Sequence, residues 1–173
     1  MINQPEFEAI GKLLIAKKGD FLFKQGDTDT SIYVVKSGLL KAYYLTLEGK
    51  EFIKSFIAEG EFIGSLIACY SREPCTFSLA CLEDCSLLKI SFADLQAVAD
   101  SDPKFLSLVN NSLTSLAMKK ERREYELLCL SAQDRYTLFK QRMPNIVDRV
   151  TQNDIARYLG ITPVALSRMK NQS

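Results

Sequence analysis

Ser167, Arg168 and Lys170 are the side chains of this sequence best suited to chemistry, and the chemistry they suit is recognition rather than catalysis. They sit within residues 150–170, where Ile155, Ala156, Leu159, Ile161, Leu166 and Met169 supply an apolar stripe at helical spacing. A hydroxyl, a guanidinium fork and an ammonium point away from that stripe. Catalytic groups are scarce elsewhere. Histidine is absent, which excludes His-based metal centres, histidine general bases and Ser-His-Asp triads together. The five cysteines (Cys69, Cys75, Cys81, Cys85, Cys129) are odd in number and lack the paired short spacing of metal sites. Cys69, Cys75, Cys81 and Cys85 are expected as core positions alternating on strands. No metal, cofactor, structural disulfide or enzymatic activity is expected.

Two short helices with a tight turn between them must hold the polar side chains in place. Thr151 and Asp154 have capping-box spacing, in which the hydroxyl accepts from a free first-turn N–H and the carboxylate favours the positive helix end. Gly160 falls where a helix ends in the left-handed conformation. Thr162 can cap a second helix, and Pro163 suits its first position, where a missing N–H costs nothing. This is a helix-turn-helix, whose second helix lies in the DNA major groove. Thr151, Gln152, Thr162, Pro163, Ala165, Ser167, Arg168 and Lys170 are its candidate DNA contacts. An ordinary helical hairpin with a glycine turn would share much of this pattern, so the upstream chain bears on the choice.

Charge is divided unevenly. From Ser131 onward seven basic residues face three acidic ones, a net +4, and the remainder carries −3. A basic terminal module on a mildly acidic body suits a DNA-reading head on a sensor or scaffold. With 173 residues, 47% hydrophobic and 25% charged, the chain has the composition of an ordinary globular protein of one or two domains. No apolar run approaches the ~18 residues of a membrane-spanning helix. The first residues lack a basic stretch followed by an apolar one. A cytoplasmic protein with no membrane partner is expected.

Upstream, Phe7, Ile10, Leu13 and Leu14 predict a leading helix over residues 2–16. Residues 18–26, 31–38, 39–45 and 51–57 read as strands rich in branched and aromatic residues, with turns at Gly26, Gly49 and Gly60. A loop is expected from Phe62 to Pro74, followed by strands over 75–81 and 85–90. Short strands with turn signals roughly every eight to twelve residues imply a β-sandwich, jelly roll or barrel. Ser91 and Asp94 repeat the capping-box spacing at a short helix. Pro103 opens a much longer helix reaching about Leu130. Within it Leu106, Val109, Leu113 and Leu116 step by three, four and three, the seam of a two-helix coiled coil. A helix packed only on its own sheet could carry that stripe, but this one is longer than a small barrel covers. Residues 135–143 supply a connecting helix before Pro144.

Gly19, Gly26, Tyr33, Gly38, the Gly49 turn, the run Gly60, Glu61, Phe62, Ile63, Gly64 and the 151–170 motif together resemble the Crp/Fnr family, the cyclic-AMP receptor protein and its relatives. The likeness covers nearly the whole chain. It implies an α+β fold: an N-terminal β-roll over residues 1–99 (a double-stranded jelly roll, cyclic-nucleotide-binding-like), a long dimerisation helix over 100–130, and a C-terminal helix-turn-helix over 131–173. It further implies a homodimeric transcription regulator that places two recognition helices in successive major grooves of double-stranded DNA, with RNA polymerase as a further partner.

The family's ligand site is degenerate here. In cyclic-nucleotide binders a short helix after Gly-Glu-Leu cradles the phosphate, the Glu holds the ribose, and an Arg-Ser or Arg-Thr pair holds the phosphate. This chain has Gly64, Ser65 and Leu66, so a short hydroxyl replaces the ribose carboxylate. At the phosphate position it has Cys75 and Thr76, so the arginine is missing. A charge-assisted phosphate contact is worth roughly 2 kcal/mol or more. Its loss should cost roughly two or more decades of affinity. Arg72, three residues earlier, could substitute only with a loop shift. The pocket is expected to bind another effector or none.

The family's iron–sulfur sensor needs an N-terminal cysteine cluster, and no cysteine precedes Cys69. Histidine-ligated haem is equally unexpected. At the DNA end, Thr162, Pro163 and Val164 replace the family's Ser-Arg-Glu, while Arg168 matches its base-reading arginine. That arginine could pair with a guanine at about 1–3 kcal/mol of discrimination. A wing after the motif is not evident. A regulator reading a different operator is the main expectation. A ligand-sensing roll acting through protein partners without DNA binding is the alternative.

Overall fold

The structure, a computed structural model, describes residues 5–171. The chain divides into two compact units, one reaching Leu106 and the other beginning at Ser107. The boundary falls inside one long helix.

The first unit is a two-sheet β-roll with helices at its margins. It comprises α1 (Pro5–Ile10), β1 (Lys12–Ala16), β2 (Phe21–Phe23), β3 (Ser31–Ser37), β4 (Leu40–Leu45), β5 (Glu51–Ile57), β6 (Phe62–Ile63), α2 (Leu66–Ser71), β7 (Ser78–Cys81), β8 (Cys85–Ser91) and α3 (Phe92–Ser101). One sheet has the order β1-β8-β3-β6 and the other β2-β7-β4-β5, all pairs antiparallel. Alternation puts Tyr33 and Val35 of β3, Leu40 and Ala42 of β4, Leu79 of β7 and Leu87 of β8 into one shared core. The rings of Phe23 and Phe77 meet edge to face at 5.2 Å within it. β3 is buried on both faces over its first five residues, so its pattern does not alternate. The cause lies outside the sheet: α1 and α3 pack on β8, with Phe7, Phe92 and Leu95 buried there.

Several expected elements differ: the strands read over residues 18–26 and 75–81 shrink to β2 (Phe21–Phe23) and β7 (Ser78–Cys81), and two others change character. The leading helix is shorter than residues 2–16, and residues 2–4 lie outside the described part. The Gly11 N–H donates to Phe7 O at 2.9 Å and closes α1. The chain then enters β1, where Leu13 and Ile15 point outward and Ala16 inward. Pairing along β8, from Lys12 opposite Lys89 to Ala16 opposite Cys85, outweighs the local helical spacing of Leu13 and Leu14. The expected 62–74 loop contains a short strand and α2, because the Ser65 hydroxyl caps the helix by accepting from the Ala68 N–H.

The second unit carries most of α4 (Pro103–Cys129), then α5 (Ala132–Arg142), α6 (Pro144–Val147), α7 (Gln152–Leu159) and α8 (Pro163–Asn171). Capping boxes open α3 and α7 at the expected residues. A third, at Ser131 and Asp134, opens α5. Ile155, Ala156, Leu159 and Leu166 are almost fully buried and join α7 to α8. No helix of the described residues is long and apolar enough to cross a membrane.

Candidate nucleic-acid interface and effector pocket

The turn between α7 and α8 is built by its backbone. Gly160 has φ 71°, and its N–H donates to Ala156 O, closing α7 in the left-handed region that a side chain would strain. The Thr151 hydroxyl accepts from the Asp154 N–H at 3.1 Å and donates to the Asp154 carboxylate at 2.6 Å. The Thr162 hydroxyl accepts from the Ala165 N–H at 3.2 Å, which starts α8. These two threonines serve first as caps.

Leu166 anchors α8 inward with 1% exposure, while Pro163, Val164, Ser167, Arg168 and Lys170 are exposed and Ala165 is half-buried. The Lys170 ammonium donates to the Gln152 side-chain oxygen at 3.1 Å, tying the last turn of α8 to the first turn of α7. Gln152, Pro163, Leu166, Ser167, Lys170 and Asn171 line a concavity of about 320 Å³. Gln152, Pro163, Ser167 and Lys170 therefore meet on one surface, with Arg168 exposed on the same helix. Val164, outside the expected contact set, is exposed there too.

Two arginines brace the head and left no sequence signal beyond their charge. An α-helix leaves its last carbonyls without intrahelical partners. Arg123 of α4 donates to Tyr158 O and lies over the Tyr158 ring at 3.8 Å. Arg135 of α5 donates to Leu159 O at 3.1 Å and to Leu130 O at 2.6 Å. Burial lowers the pKa of Arg123 below the usual arginine value. Glu126, 8% exposed, accepts from Arg142. On the rest of α4, Leu106 is exposed, and Val109, Leu113 and Leu116 are half-buried.

In the roll, Ser65 is 1% exposed and its hydroxyl is engaged in capping α2. Gly64 leaves no room for a side chain: a Cβ would lie 2.5 Å from Ile32 Cδ1 and 2.7 Å from Ser31 O. Cys75 is buried in the core, its thiol 3.6 Å from Asp29 O, while Leu66 is half-buried and Thr76 exposed. Arg72 ends α2 with φ 59° and lines an open cavity of about 310 Å³ with Thr28, Thr30, Ala68 and Glu73. Next to these threonines stands a carboxylate the sequence did not single out. Asp29 accepts from the Ser31 N–H at 2.8 Å and from the Tyr33 hydroxyl at 3.1 Å, with the Lys89 ammonium 3.7 Å away. Burial, and then Asp29, push the Tyr33 phenol far above its ordinary value. The expected placing of the cysteines holds for Cys81 and Cys85 on β7 and β8. Cys69 is on α2 and Cys75 lies between elements, both buried, and Cys129 is exposed.

A jelly roll with a capped helix beside its cavity, followed by a helix-turn-helix, defines a class of transcription regulator. Residues 14–102 match the cyclic nucleotide-binding domain family. The chain is 26% identical to the anaerobic regulatory protein of Haemophilus influenzae, over 97% of its own length and 70% of the relative's. It is 30% identical to the transcriptional activator protein anr of Pseudomonas aeruginosa, over 88% of its length and 66% of the relative's. The structure of FixK2 from Bradyrhizobium japonicum has the same fold, with a TM-score of 0.82 at 18% identity, covering 94% of this chain and 84% of that one. The chain belongs to the Crp/Fnr family of transcription regulators.

Proposed function

We propose that this regulator works in the cytoplasm as a homodimer that reads double-stranded DNA with α8 and does not respond to cyclic AMP. The observation that carries the DNA reading is the Gly160 turn, which leaves Ser167 and Arg168 exposed on a helix anchored from behind by Leu166. Arg168 supplies a guanidinium fork for a guanine edge, and Gln152 and Lys170 supply polar groups for the phosphate backbone. The seam Leu106, Val109, Leu113 and Leu116 pairs α4 with its copy, so two recognition helices enter successive grooves. RNA polymerase is the partner through which such a bound dimer acts on transcription.

The pocket reading rests on charge. Cys75 puts a buried thiol where the family's arginine would meet a phosphate, so that charge-assisted contact is lost. Arg72 shares its cavity with Glu73, whose carboxylate offsets the attraction of the guanidinium for an anionic ligand.

Selection of bound sequences from random duplex DNA at low salt tests the function, with sedimentation to follow the dimer. A palindromic site should emerge, and Arg168→Ala should relax base preference while leaving the dimer intact. An unchanged preference in that variant removes Arg168 from the reading set.

A further inference from the structure

We propose that Val164 reads the C5-methyl group of a thymine next to the base pair read by Arg168. The proposal rests on the DNA-binding reading above and names a specificity determinant within it. Val164 is 61% exposed, the one large apolar side chain so exposed on α8 among the described residues. It contributes little to the core of the head, which Leu166 anchors from the opposite side. A β-branched residue is also a poorer helix former than alanine. Fold stability gives no reason for a valine at this place.

Its position does give one. Pro163 is the first residue of α8 and Val164 the second, in the first turn of the helix. That end of a recognition helix approaches base edges. At about 3.6 residues per turn, Val164, Ser167 and Arg168 share one face, and the exposures agree. From Val164 to Arg168 the helix rises about 6 Å. That is less than two base steps of about 3.4 Å. The face is fixed at both ends, by the Thr162 cap and by the bond from Lys170 to Gln152.

Valine has no donor or acceptor, so it cannot pair with N7, O6, N6 or N4 groups in the groove. The apolar feature that unmodified DNA presents there is the thymine methyl. Val164 placed against a cytosine would instead strip water from the N4 amino group without replacing its hydrogen bond. The contact therefore favours thymine by attraction and disfavours cytosine by desolvation.

The test uses the full chain and the duplex enriched by selection from random DNA. Each thymine is replaced in turn by deoxyuridine, which removes only the methyl group, and binding is followed by fluorescence anisotropy at fixed salt. In the unaltered protein, one thymine per half-site, within two base pairs of the guanine lost to Arg168→Ala, should show about fourfold weaker binding as deoxyuridine. Val164→Ala should show no such penalty at that position, with the same salt dependence, because no phosphate contact is removed. Replacing that thymine by 5-methylcytosine should cost less than replacing it by cytosine. Absence of any methyl-sensitive thymine near that guanine, or an equal penalty in Val164→Ala, overturns the proposal while leaving DNA binding in place. Failure to enrich any sequence overturns the DNA reading itself, and the role of Val164 with it. Circular dichroism confirms that the variant is folded, as its exposure leads one to expect.

Discussion

The Arg123 guanidinium lies over the ring of Tyr158, 3.8 Å from its centroid, and donates to the same residue's carbonyl oxygen. One side chain of the long helix thus satisfies an orphan carbonyl at the end of α7 and covers the aromatic ring beside it. Arg135 does the same for the next carbonyl, so the Gly160 turn is held from two directions.

Replacing Arg123 by methionine should loosen α7 by about 2 kcal/mol, the usual loss when a hydrogen bond from a charged group is removed. Hydrogen exchange of the α7 amides is the measurement, since it reports one element rather than the whole chain. Arg123→Lys should recover only part of the loss, because an ammonium has neither plane nor fork. Exchange in the methionine variant equal to that of the parent would mean that neither the hydrogen bond nor the ring contact holds α7.

Gly160→Ala should cost about 1–2 kcal/mol. Space is not the cause, since the nearest side-chain atom to an added Cβ, on Leu127, is 3.8 Å away. The cost is conformational, at φ 71°. Gly160→Asn, better tolerated in the left-handed region, should be milder. Comparing urea denaturation of the two variants checks the order, and alanine milder than asparagine would contradict it.

Gly64→Ala fails for the other reason. Its Cβ would sit 2.7 Å from the backbone oxygen of Ser31, which cannot swing aside as the tip of Ile32 can. Overpacking of this kind should destabilise the roll by about 2 kcal/mol or more. Thermal unfolding should show a lowered transition, while a transition equal to the parent's would place β3 and the start of α2 further apart.

Alkaline pH should weaken the roll. Burial pushes the Cys69 thiol up to about 11 and the Cys81 thiol up to about 12, and Cys85 is raised as well. The folded chain therefore favours the neutral thiols. That contribution is complete below the unfolded thiol value of about 8.5 and is lost as pH rises through the folded values. Melting temperatures at pH 7, 9 and 10.5 should fall between the last two points. Alkylation at neutral pH should modify exposed Cys129 first. Rapid modification of a second thiol in the folded protein would contradict the burial.

Titration with cyclic AMP in a calorimeter should give no saturable heat at micromolar ligand. Binding at that level would show that Arg72 or backbone N–H groups meet the phosphate in place of the missing arginine. Arg72→Ala would then separate those two sources.

Much of the fold follows from local chemistry that the sequence states outright. Thr151 with Asp154, Gly160, Thr162 and Pro163 settle the two helices and the turn between them, because caps and left-handed turns are interactions between residues a few positions apart. The length of α4 follows from patterning of the same kind, but the strand orders β1-β8-β3-β6 and β2-β7-β4-β5 do not, because they rest on pairing between strands far apart in the chain. Leu13 and Leu14 were different: their spacing suits a helix, and only the partner strand β8, more than seventy residues away in sequence, decides that they extend. Tertiary structure also decided where charges go. Arg123 sits in a charged run indistinguishable from a solvated helix face until α7 packs beneath it, and Asp29 is an ordinary loop aspartate until Tyr33, Ser31 and Lys89 close around it. Val164 reads as one more apolar residue in an apolar motif. Its exposure depends on which way α8 turns when Leu166 is buried, and that is set by packing against α7.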